Sequence, residues 1–146
     1  MRYAVITTDG TLAHRTRGGD AVDTVWTEVG PEGPDRVRLD EDYGIAGWVN
    51  DVGLTRPETY PRNVVASCVL AALGAAAQPY AGPVVVTGWD PNGMPTEICS
   101  LPEPDLVTRL HGRVHAALRG DPDASDTEWG HALRTYADWV RETSTD

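Results

Sequence analysis

The sequence predicts an α+β fold: a small, mostly antiparallel sheet, a central buried helix and a C-terminal helical pair. Three observations carry that expectation. Short β-branched runs, punctuated by Gly, Pro, Asn and Asp, fall within the first 90 residues. One 14-residue apolar stretch, Val64 to Ala77, is too long for an ordinary strand and apolar nearly all round, as a helix enclosed by other elements must be. Beyond residue 100, apolar residues recur every three to four positions, the helical period. The length of 146 residues suits one domain, read as an α+β core over 1–90 with a helical pair over 100–142 packed on it.

Taken in order, Tyr3 to Thr8 reads as a strand, Asp9-Gly10 as a two-residue hairpin turn supplying positive φ, and Thr11 to Arg15 as the returning strand. Asp20 is placed to cap a short helix in which Val22, Val25, Trp26 and Val29 recur at helical spacing, stopped by Gly30-Pro31; a strand is the competing reading. Arg36 to Leu39 and Ile45 to Val49 read as strands. The second closes in the turn Asn50-Asp51-Val52-Gly53, where Asn and Asp side chains can bond the backbone two residues on and tolerate left-handed φ. Pro61 fits the first turn of the apolar helix, which Pro79, Gly82 and Pro83 end. Pro83 to Trp89 reads as an interior strand. Two capping boxes, Ser100 to Glu103 and Ser125 to Glu128, are expected to open the last two helices, joined through Gly120-Asp121-Pro122. Leu106, Leu110, Val114 and Leu118 make one apolar stripe, and Trp129, Leu133, Tyr136 and Val140 the other.

The net charge is −10, and all twelve cationic side chains are arginine. Such a balance argues against direct nucleic-acid binding, which needs clustered cations to displace counterions from phosphates. Acids are spread evenly, so no acidic tail stands out; the charge serves solubility or, as an alternative, mimicry of a DNA backbone. The absence of Lys and Phe beside abundant Ala, Gly, Asp and Arg reads as the codon bias of a high-GC, actinobacterial-type genome. No signal pattern opens the chain and the longest apolar run falls short of the roughly 20 residues that span a bilayer, so a cytoplasmic, non-membrane protein is expected. Cys68 and Cys99 lie 31 apart with no metal spacing and are expected to be reduced and buried.

No catalytic constellation emerges and no cofactor is expected. His111 and His115 have the four-residue spacing of zinc-binding helices, yet Gly112 stands where a metalloprotease needs its glutamate, and the apolar stripe turns both imidazoles toward the edge or solvent face. They are therefore only weak metal candidates. Ser67 and Cys68 fall inside the buried helix without an activating neighbour. Asp40-Glu41-Asp42 and Asp121, Asp123, Asp126 are loop acids expected to stay solvated, whereas acid/base work needs one of a pair held in an apolar site. Binding is the better-supported expectation. Trp48 and Trp89 stand at strand ends, where aromatics serve core packing or a pocket rim. Arg62, beside the positive end of a helix, should pair with Asp51, Glu58 or an anionic ligand.

Trp48-Val49-Asn50-Asp51-Val52-Gly53, following a strand and Asp-Gly turn and preceding Tyr60-Pro61-Arg62-Asn63 and an Ala-rich helix, resembles a family of small domain-of-unknown-function proteins common on phages and plasmids. The likeness covers about residues 1–90. It implies an α+β fold and a mobile-element origin, with no activity to carry over. The expected function is a non-enzymatic accessory protein that binds a host or element-encoded protein through Trp48, Asn50, Asp51, Arg62, Asn63 and Trp89. The alternative is a small-ligand protein or enzyme with an anionic, nucleotide-like ligand in a pocket near Arg62, Trp48 and Trp89.

Overall fold

The computed structural model describes residues 1–142. The chain runs β1 (Arg2–Ile6), β2 (Leu12–Thr16), α1 (Ala21–Val29), β3 (Pro34–Arg38), β4 (Ile45–Asn50), α2 (Val64–Ala72), β5 (Val84–Trp89), β6 (Ile98–Cys99), α3 (Pro104–Leu118), the single turn α4 (Pro122–Ser125) and α5 (Glu128–Glu142). The sheet order is β2-β1-β5-β4-β3, with β6 pairing the end of β5, and every pairing is antiparallel. This is the α+β architecture that the sequence predicts. Among the described residues no helix is long and apolar enough to cross a membrane.

β5 is central because its Val-rich run has no polar face to give to solvent. Val84 and Val86 join Ala4 and Ile6 under α2, α3 and α5; Val85 joins Tyr3, Val5 and Trp48 under Val25 and Val29 of α1. The sheet is thus covered on both faces, by three helices on one and a single short helix on the other. α2 presses closely on the sheet at Gly47, where a Cβ would lie 3.0 Å from Leu70 Cδ2 and 3.3 Å from Val37 Cβ.

Several local expectations change. Ile6 pairs with Leu12, so the hairpin connection is Thr7 to Thr11 and not a two-residue turn. Its shape comes from Asp9, which accepts from the Thr7 hydroxyl and from Thr11 N. α1 is a helix, as Asp20 promised: its side chain accepts from Val22 N and Asp23 N. α2 starts at Val64, three residues after Pro61, because Asn63 caps it and Arg62 is held in a β-bridge with Ala81. Neither predicted capping box forms. Ser100 Oγ accepts from Arg2 N at 3.0 Å, tying the chain before α3 to β1, and Thr127 Oγ1, not Ser125, accepts from Gly130 N at the start of α5. β6 and α4 escape the periodicity reading because two and four residues hold only about one period of signal, with no repeat to recognise. Val107, Val114 and Ala117 form the fully buried line of α3, with Leu106, Leu110 and Leu118 packed beside it.

Candidate functional site

The corner after β4 is built around Glu32, a residue the sequence reading passed over. Asn50 is 4% exposed, and its Nδ2 donates to Val29 O at 3.0 Å and to Glu32 Oε1 at 2.9 Å. Tyr60 OH donates to the same carboxylate oxygen, and Arg56 Nη1 lies 3.2 Å from Oε2. These donors, the Tyr60 hydroxyl first and Asn50 next, hold the Glu32 carboxyl below its ordinary pKa, while the Tyr60 phenol is pushed up chiefly by that same hydrogen bond. Asn50 Oδ1 takes Val52 N, the expected Asn turn, but among the described residues no non-glycine has positive φ. Asp51 is exposed, and its backbone N–H donates to Gly33 O. Asn50 is therefore a structural tie between α1 and β4.

Asn63 is likewise consumed by the fold. Fully buried, it donates to Ile6 O at 2.9 Å and Gly82 O at 3.0 Å while its Oδ1 caps Ala66 N. No surface of it remains for a ligand. Arg62, one residue earlier, lines a cleft of about 340 Å³ together with Pro57, Tyr60 and Arg141. Among the described residues no ion pair joins it to Asp51 or Glu58.

Trp48 and Trp89 do come together, on the α1 face of the sheet, with ring centroids 6.0 Å apart. Trp48 lies inside β4 rather than at its end, and it is core: 8% exposed, with Nε1 donating to Thr87 Oγ1 at 2.9 Å. Trp89 is half-buried, and its cation is Arg36, whose Cζ stands 4.1 Å above the ring. Arg62 is absent from this site because the register Arg36↔Trp48 places β3 there. Arg36 and Arg38, two apart on one strand, share a face. Both line a cleft of about 360 Å³ with Gly44, Ala46, Trp89 and Pro91. A second cleft, of about 250 Å³, takes Val37 and Val49 from the other face of the same strands and Tyr80 from the connection between α2 and β5. β3 lies at the end of the sheet order, and among the described residues nothing pairs with its outer side.

The remaining reactive side chains have structural duties. Ser67 Oγ donates to Asn63 O and accepts from Tyr80 N. Burial pushes the Cys68 thiol up to about 12, leaving no thiolate near neutrality. Cys99, expected buried, is exposed. His111 and His115 lie at the edge of α3, half-buried, and point Nε2 at Gly10 O, 2.7 and 3.1 Å away. Of the loop acids, Asp40 and Asp121 cap short helical turns. Among the described residues no three His, Cys, Asp or Glu side chains gather around one point.

No family model, curated protein or solved structure matches the chain.

Proposed function

We propose that this protein is a binding module which takes up an extended, acidic segment of another protein along the outer side of β3. The observation that carries the reading is Arg36 stacked on Trp89 beside an open sheet edge. An added strand gains affinity from main-chain hydrogen bonds and specificity from alternate side chains. Along β3, one set of side chains would meet Arg36, Arg38 and Trp89, and the other would meet Val37, Val49 and Tyr80. Among the described residues neither Arg36 nor Arg38 has a carboxylate within 4.0 Å, although acids outnumber bases almost two to one in the chain. Charge on an edge strand also discourages unwanted pairing. Two arginines on one side turn that guard into a selector, since an acidic strand is the one it admits.

An accessory, non-catalytic role agrees with the resemblance over residues 1–90 to phage and plasmid proteins, and with the structural employment of Ser67 and Cys68. The alternative is a small anionic ligand stacked on Trp89.

The test is a titration, read by tryptophan emission and by amide exchange, with a blocked peptide of alternating Glu and Val. Binding that slows exchange at residues 34–38 and is lost with Arg36→Ala is expected. Failure of the peptide to bind overturns the strand-addition reading. Tight binding of adenosine monophosphate in a parallel titration, with no exchange change along β3, would replace it with the small-ligand one.

A further inference from the structure

A different place in the fold carries a second site. We propose that His111, His115 and the Gly10 carbonyl form a chelate for a divalent transition-metal ion of the Cu²⁺ class. The two imidazoles are one helical turn apart on α3, with ring centroids 4.5 Å apart and edge to face. Both Nε2 atoms converge on a single oxygen, at 2.7 and 3.1 Å. The oxygen is held there by packing: Gly10 has φ +89°, and a Cβ on it would come within 2.8 Å of Val65 Cγ2. The hairpin turn is therefore wedged between the start of α2 and the face of α3, and only glycine fits.

Imidazole nitrogens beside a carbonyl oxygen suit Cu²⁺ or Ni²⁺, and Cu²⁺ is the first-row divalent ion that such N,O sites hold most tightly. Without metal, each Nε2–H donates to the carbonyl. With metal, the single N–H of each neutral ring moves to Nδ1, which no hydrogen bond engages among the described residues. Two imidazoles and a carbonyl leave coordination positions open to water or a further ligand.

The experiment is calorimetric titration of CuCl2 into the untagged full chain, in a Cys99→Ser background so that the exposed thiol neither binds nor reduces the ion, with electron paramagnetic resonance at one equivalent. One ion per chain, hyperfine structure from two nitrogens, and affinity lowered about tenfold or more by His111→Gln and by His115→Gln are expected. Glutamine keeps an N–H donor for Gly10 O, so these variants should retain the fold, checked by tryptophan emission, while losing the ligand nitrogen. Cu²⁺ that fails to bind, or that binds equally to both variants, overturns the site and leaves the histidines as a clamp on the hairpin. This outcome is independent of the β3 peptide titration.

Discussion

Glu32 Oε1 accepts from Asn50 Nδ2 at 2.9 Å, so one carboxylate oxygen joins the loop after α1 to the last residue of β4. Tyr60 and Arg56 converge on the same group from the chain leading to α2. The carboxylate organises the corner, and its ionisation is coupled to the corner's stability. Because its pKa is lowered in the fold, its contribution is present above the unfolded carboxyl range and is lost as pH falls through the folded value. Urea midpoints measured across acid pH should show Glu32→Gln less stable than wild type near neutrality, with the two converging at the acid end. A constant gap at every pH would sink this account.

Asn63→Ala should be the costlier corner mutation. It removes the cap of α2 and strands two buried carbonyls, Ile6 O and Gly82 O, for a loss of about 2–4 kcal/mol. Chemical denaturation measures it. Asp51→Ala, at an exposed position, should change stability by less than about 0.5 kcal/mol.

Gly47→Ala tests how tightly α2 is seated. The new methyl would meet Leu70 and Val37 at distances few packed carbons tolerate, so a loss of about 1–3 kcal/mol is expected. Shortening the opposing side chain should relieve it: in a double-mutant cycle with Leu70→Val, the two changes should cost less together than their sum. Strict additivity would place the strain elsewhere.

The two thiols should separate cleanly. Exposed Cys99 should react with a disulfide reagent in the native protein, whereas Cys68, fully buried with its thiol raised to about 12, should react only on unfolding. One rapid equivalent in buffer and two in denaturant is the expected count. Two rapid equivalents in buffer would mean that α2 opens readily.

What the sequence determined by itself lies in local chemistry and period. Asp20 announces α1 because a capping carboxylate acts within three residues, and the nearly continuous apolarity of Val64 to Leu73 and the unbroken run Val84 to Val86 announce the buried centre of the fold. The pairing of Trp48 with Trp89 was half legible, as two aromatics on strands without a stated register. Tertiary structure alone decided which cation would join them: Arg36 reaches Trp89 through the β3–β4 register, while Arg62 is carried to another cleft by its bridge to Ala81. It also decided that Glu32 would be the hub of the corner, and that His111 and His115 would meet Gly10, more than 100 residues away in sequence. Periodicity assigns a residue to a face of its own element; which neighbour occupies that face is set by strand order and helix docking, where long-range packing outweighs any signal a short window holds.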